Sequence, residues 1–370
     1  MKKKIVSLML AAAMAVGMLA GCGQSKPADT GAADAAAPAA DAAAPAADAA
    51  DAAAPASSGG KTIALVTKSA GNAFMELLAN GVKEAVEAGG GTLIVKDPSA
   101  ATADAQISEI SSLISQGVDA IIVSANDENA LSAVLTEAKD AGIKVLTTDS
   151  DVAAADRAVF VNQADVTLIG QTLMAAAADI AGGSGQYAIL SATSQATNQN
   201  AWIEAMKAEN ESNPDYANME LVEVAYGDDE PQKSTDQTQA LLEKYPDLKV
   251  IVAPTTVGIA AAAKVLQDSG SSVKLTGLGL PSEMLEYMGD DDAHSCPYMY
   301  LWNMIELGNL TGYTAMALAN GEITGAAGES YTAGSLGDYT IIDNNGTQVV
   351  LGPPFKFDAG NCKEWADKGM

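Results

Sequence analysis

The chain has 370 residues and a formal net charge of -27, from 47 acidic against 20 basic side chains. That balance excludes a nucleic-acid partner, because binding phosphates concentrates Lys and Arg on one surface, and it favours solubility. A single histidine and three cysteines supply neither a metal centre of known spacing nor a disulfide framework. The first element in chain order is a short leader: Lys2, Lys3 and Lys4, an apolar stretch over 5–18, then Leu19-Ala20-Gly21-Cys22. This pattern predicts a lipoprotein signal over residues 1–21, cleaved so that Cys22 becomes the lipidated first residue. The apolar stretch is too short to span a bilayer.

From residue 32 to residue 57 the chain repeats units such as Ala32-Ala33-Asp34-Ala35-Ala36-Ala37-Pro38. Methyl groups, carboxylates and prolines cannot build a core, so residues 22–60 are expected to form a linker behind the lipidated cysteine. Residues 61–370 suffice for two lobes. Short apolar runs at 62–67, 92–95, 120–124 and 144–148 predict buried strands, separated by helical patterns at 73–88, 103–115 and 130–141 that close on Gly89, Gly117 and Gly142. A second series places strands at 187–190, 221–224, 250–253 and 274–278, with helices beginning near Asn200, Gln232 and Gly258. The fold class is therefore α/β, with two Rossmann-like lobes built on parallel sheets. Asp343-Asn344-Asn345-Gly346 between 339–342 and 347–351 predicts a late hairpin. No further apolar run reaches membrane-spanning length. The expected location is extracytoplasmic, with the membrane reached through the lipid anchor alone.

In an open parallel sheet, ligands bind beyond the carboxyl ends of the strands. Here those positions carry Lys68, Asn126, Asp127, Asp149, Asp151, Asn198, Gln199, Pro254, Thr255 and Thr256, while Trp302 and Asn303 close another apolar run. Amides, carboxylates, hydroxyls and a lysine match the donors and acceptors of a sugar, and rings such as Phe74 and Trp302 can cover its apolar face. The same polar residues also favour turns and caps, so both readings stand at any single position. A glycosidase is disfavoured, because Asp149 and Asp151 sit on one turn and do not straddle a glycosidic bond. There is no Gly-x-Ser-x-Gly elbow. The Asp290-Asp291-Asp292 run beside His294 reads as a solvated turn, and Gly182-Gly183-Ser184-Gly185 as a helix-to-strand turn. Cys296 and Cys362 can form one disulfide, and the sequence leaves their pairing open.

Across nearly the whole body the chain resembles the sugar-binding lipoproteins and periplasmic proteins of ABC importers, most closely the rhamnose-binding branch that includes the furanosyl autoinducer receptor. The resemblance lies in Thr147-Thr148-Asp149-Ser150-Asp151, Phe160-Val161-Asn162-Gln163, Thr197-Asn198-Gln199-Asn200-Ala201-Trp202, Tyr226-Gly227-Asp228-Asp229, Lys244-Tyr245-Pro246-Asp247-Leu248, Ala253-Pro254-Thr255-Thr256-Val257-Gly258 and Leu301-Trp302-Asn303. It implies a type 1 periplasmic-binding-protein fold, a clamp whose hinge the chain crosses near Gln163, Trp302 and Ile323. One lobe then holds 61–163 and 303–323, the other 164–302 and 324–370.

Carried over residue by residue, the resemblance implies ligand contacts from Lys68, Asn72, Phe74, Asp149, Asn198, Gln199, Pro254, Thr256, Trp302 and Asn303. The autoinducer receptors carry aspartate at the position of Asn198 and alanine at that of Thr256, which favours a sugar here. Their first loop has a proline and a further ring that Lys68-Ser69-Ala70-Gly71-Asn72-Ala73-Phe74-Met75 lacks. The implied activity is capture of a small sugar, first L-rhamnose, by a monomer. Its partners are an ABC permease and the ATPase behind it. Catalysis, cofactor and metal are not expected.

Overall fold

The structure, a computed structural model, describes residues 60–370. The predicted signal, Cys22 and the linker up to residue 59 lie outside the described residues. The first lobe opens with β1 (Thr62–Val66), α1 (Ala73–Ala88), β2 (Thr92–Lys96), α2 (Ala103–Gln116), β3 (Ala120–Val123), α3 (Ser132–Asp140), β4 (Lys144–Thr148) and β5 (Phe160–Asn162). Strand β1 is all apolar after Thr62 because both its faces are covered: Ile63 and Leu65 pack with Leu78 and Val82 of α1, Ala64 and Val66 with Ile110 and Leu113 of α2. The chain then crosses to α4 (Val166–Ala181), β6 (Gly185–Ser191), α5 (Thr197–Ser212), β7 (Met219–Tyr226), α6 (Pro231–Lys244), β8 (Leu248–Ala253), α7 (Thr256–Asp268), β9 (Lys274–Gly277), α8 (Pro281–Met284) and β10 (Tyr298–Leu301).

After β10 it returns to the first lobe as α9 (Met304–Asn320). This helix lies directly on α1, where a Cβ at Gly81 would meet the Ile305 carbonyl at 2.2 Å and one at Gly308 the Leu78 carbonyl at 2.2 Å. Short strands β11 (Ser330–Thr332) and β12 (Asp338–Thr340) pair with each other, and β13 (Ile342–Asp343) with β14 (Thr347–Val350). Finally β15 (Phe355–Asp358) pairs antiparallel with β10, and α10 (Cys362–Asp367) packs against α8.

The first-lobe sheet has the order β13-β14-β5-β4-β3-β1-β2, the second-lobe sheet β7-β6-β8-β9. In both, the first strand of the lobe lies inside and the winding reverses beside it, so each lobe has a topological switch point of the kind that opens a crevice. The two-lobed α/β fold is as the periodicity predicts.

Two details differ from expectation, and one open question is answered. Strand β14 pairs in parallel with β5, Gln348 opposite Phe160, so residues 342–350 belong to the first lobe. The third crossing therefore falls between Val350 and Phe355, not near Ile323; Arg157 fixes this edge by donating to the Thr347 carbonyl at 2.5 Å. The late hairpin forms at the expected turn, but its first strand is only Ile342–Asp343, because residues 338–340 pair with β11. Cys296 and Cys362 are free and buried, each thiol turned to a carbonyl, of Tyr298 and Pro281 respectively. The open question of their disulfide is thus answered against it.

Candidate ligand-binding site

Lys68 leaves the end of β1 at the first lobe's switch point. Its backbone is held by Gln106 of α2, whose amide nitrogen donates to Thr67 O (3.0 Å) and Ser124 O (2.7 Å), and by Asn126, which donates to Lys68 O at 2.9 Å. Gln106 is fully buried, and its bonds satisfy the carbonyls where β1 and β3 end. Asn72 caps α1, accepting from Met75 N, and this starts the helix so that Phe74 faces inward. Asp149 follows β4 with φ 62°, a conformation Asp adopts more readily than most residues. Its turn is fixed by Asp151, which takes two hydrogen bonds from the Arg157 guanidinium at 2.8 and 2.6 Å.

These groups converge with the second lobe. The Lys68 ammonium donates to Asn198 Oδ1 at 2.9 Å and lies 3.7 Å from Asp149 Oδ2. Ser124 donates to Asp149 Oδ2 at 2.9 Å, and Asn198 to Asp149 Oδ1 at 3.3 Å. Lys68 and Asp149 are only 4% and 3% exposed. Burial pushes the Asp149 carboxyl above the ordinary carboxylate range, while Lys68 and Ser124 pull it back and the Asp229 charge adds to the rise. Asn198 and Gln199 stand in the first turn of α5, and Pro254, Thr255 and Thr256 follow β8, the two sides of the second lobe's switch point. Trp302 sits at the crossing from β10 to α9, edge-on to Phe74 (6.2 Å between centroids) and to Trp202 (5.9 Å).

Together these residues line one concavity between the two switch points, the kind of place in which small-molecule sites form. Two of the residues that line it carry a buried polar atom, Gln199 Oε1 and Trp302 Nε1, with no hydrogen-bond partner among the described residues. A larger cleft lies elsewhere on the second lobe, lined by Asp179, Lys274, Tyr298 and Lys356. It is away from both switch points, and its Tyr298 hydroxyl is already bonded to Asp179 at 2.6 Å.

Of the residues predicted for the site, Lys68, Asn72, Phe74, Asp149, Asn198, Gln199, Pro254, Thr256 and Trp302 line the cavity, and Asn303 does not. The Asn303 side chain instead caps α9, accepting from Ile305 N and Glu306 N at 3.1 Å each. The sequence reading did not include Met75, Trp202, Asp229, Leu278 or Leu301 among the ligand contacts, and all five line the cavity. Asp229 follows β7, so the strand-end rule that selected Asp149 selects it too. Trp202 carries no such signal, lying within a helix. Asp151 is held by Arg157 and Asp228 by Lys233, and neither lines the cavity.

Residues 63–323 match the model of a family described as periplasmic binding protein domain. An ABC transporter solute binding protein from Clostridium phytofermentas, solved with bound L-rhamnose, is 53% identical with a TM-score of 0.82, the match covering 84% of this chain and 99% of that one. LsrB from Clostridium saccharobutylicum, in complex with AI-2, has a TM-score of 0.76 at 23% identity over 82% of this chain and 99% of its own, a likeness of fold alone. A D-ribose/D-allose-binding protein of Pseudomonas aeruginosa is 29% identical over 236 residues, 58% of this chain and 69% of that protein.

Proposed function

The chain belongs to the periplasmic binding protein domain family, and from that premise we propose that it captures a small sugar, L-rhamnose first, between its lobes and delivers it to an ABC importer. It is an extracytoplasmic solute-binding protein and not an enzyme. The observation that carries the ligand assignment is the 53% identity to a rhamnose-bound solute binding protein across 99% of that chain. The cavity supports the same reading: an ammonium, two carboxylates, three side-chain amides and two tryptophans meet where the lobes do.

In this reading Lys68 and Asp149 on the first lobe, with Asn198, Gln199 and Thr256 on the second, grip the hydroxyls, and Phe74 and Trp302 cover an apolar face. A ligand that touches both lobes favours the closed form by its differential contacts. Charge-assisted hydrogen bonds at Lys68 and Asp149 contribute about 1.5–3 kcal/mol each. The closed pair of lobes is what the permease recognises, and the ATPase drives transport. Cys22 carries the lipid, and the protein works as a tethered monomer.

Calorimetric titration of the full chain with L-rhamnose, other deoxyhexoses, pentoses and the furanosyl autoinducer tests the assignment. Saturable binding of L-rhamnose, returned unchanged, is expected. Preference for another sugar or for the autoinducer would replace the ligand, and no binding would remove the sugar reading. Mass spectrometry of the membrane-extracted protein, with and without Cys22→Ala, tests the anchor.

A further inference from the structure

The loop after β7 presents a second carboxylate to the cavity, Asp229. Two consecutive non-glycine residues there hold left-handed backbone, Asp228 at φ 54° and Asp229 at φ 53°. Such conformations are costly and persist where the surroundings enforce them. Here Gly227 N donates to Ser191 O (2.9 Å) and Asp228 N to Ala192 O (3.2 Å), tying the loop to the end of β6, while Lys233 pairs with the Asp228 side chain. The Thr255 hydroxyl donates to Asp229 Oδ1, which leaves Oδ2 for a ligand in the cavity.

The two lobes thus bring one carboxylate each to one space. Lys68 is the single cation among the described residues that line it, and it is already paired with Asp149. A carboxylate can only accept hydrogen bonds. A ligand that satisfies both walls must therefore donate to each, as hydroxyl groups do. It must also accept from the indole N–H of Trp302, which has no partner among the described residues, and a sugar oxygen does so. An anionic ligand would bring a third negative charge into a confined space whose single positive charge is spent.

We infer that Asp229 determines the chemical class this site accepts, admitting neutral polyols and rejecting sugar acids and sugar phosphates. The inference rests on the sugar-binding reading above and adds a residue and an exclusion rule to it.

The test compares L-rhamnose with its aldonate, L-rhamnonate, on the full chain and on the variants Asp229→Asn and Asp229→Gly. Both replacements tolerate positive φ, and thermal midpoints near that of the native chain establish that they fold. The native protein is expected to bind L-rhamnose and to leave it undisplaced by millimolar L-rhamnonate. Asp229→Asn should weaken L-rhamnose binding about 10- to 100-fold and make L-rhamnonate a measurable competitor, and Asp229→Gly should do the same. Native affinity and unchanged exclusion of L-rhamnonate in both folded variants would overturn the inference while leaving the sugar reading intact. Equal binding of sugar and aldonate by the native protein would overturn it as well. Failure of the native protein to bind any neutral sugar would instead remove the sugar reading and the inference with it.

Discussion

On the first lobe's side of the cavity, charge is balanced within the protein: Asp149 has Ser124 and Lys68 around it, and Lys68 has Asp149 and Asn198. On the second lobe's side, and at the crossing that leaves it, Gln199 Oε1 and Trp302 Nε1 are buried without a partner. An unsatisfied buried polar group costs about 1–3 kcal/mol. A ligand with a matching donor for Gln199 Oε1 and a matching acceptor for Trp302 Nε1 would remove that cost. One wall supplies internally paired charge, and the other supplies open valences and the Asp229 carboxylate.

The largest expected effect comes from breaking the frame of the charged wall. Arg157 is buried and holds both the Asp151 carboxylate and the Thr347 carbonyl, so Arg157→Met should cost about 3–5 kcal/mol of stability in denaturant titration. Asp149→Asn should weaken sugar binding about 10- to 100-fold by calorimetry. It should also raise the thermal midpoint of the unliganded protein near neutral pH. Burial lifts the Asp149 carboxyl above its ordinary range, so the folded state holds this proton more tightly than the unfolded chain. The stabilisation is full below the ordinary carboxylate range and is lost as pH rises through the higher folded value. Midpoints measured from acid to neutral pH should show this decline in the native chain and a flatter profile in the variant.

On the open-valence wall, Trp302→Phe keeps an aromatic ring between Phe74 and Trp202 but deletes the indole N–H. Affinity should fall about 10-fold, while the unliganded midpoint should hold or rise because an unsatisfied donor has gone. The smallest effect belongs to Asn303, outside the cavity. Asn303→Ala should cost about 1 kcal/mol of stability through the lost cap of α9 and leave sugar affinity unchanged. A loss of affinity there would move the boundary of the site.

Most of the cavity is legible from strand ends, because polar side chains just beyond buried parallel strands have few structural reasons to cluster. Lys68, Asp149, Asn198, Gln199 and Thr256 stand at such ends, the family resemblance selects them as contacts among the polar residues there, and Asp229 answers to the same rule. Asn126, Asp127, Asp151 and Asn303 show where the rule fails, since none lines the cavity, and Asn303 is the instructive case. Its position beside Trp302 suits a ligand contact and a helix cap equally, and only the backbone of α9 shows that it caps. Trp202 lies within a helix and carries no strand-end signal, and whether its ring reaches a cavity depends on the packing opposite.

By itself the sequence determined the two series of strands and helices, since apolar runs between glycine-terminated amphipathic stretches have no other way to bury their surface. It also determined which residues stand at the strand ends, because that follows from counting along each element. Tertiary structure alone decided that β14 pairs with β5 in the first lobe, that Cys296 and Cys362 remain thiols, and that Asp229 faces the same space as Asp149. These depend on contacts between segments far apart in the chain. Local periodicity fixes an element and its faces, and says nothing about which distant element will cover them.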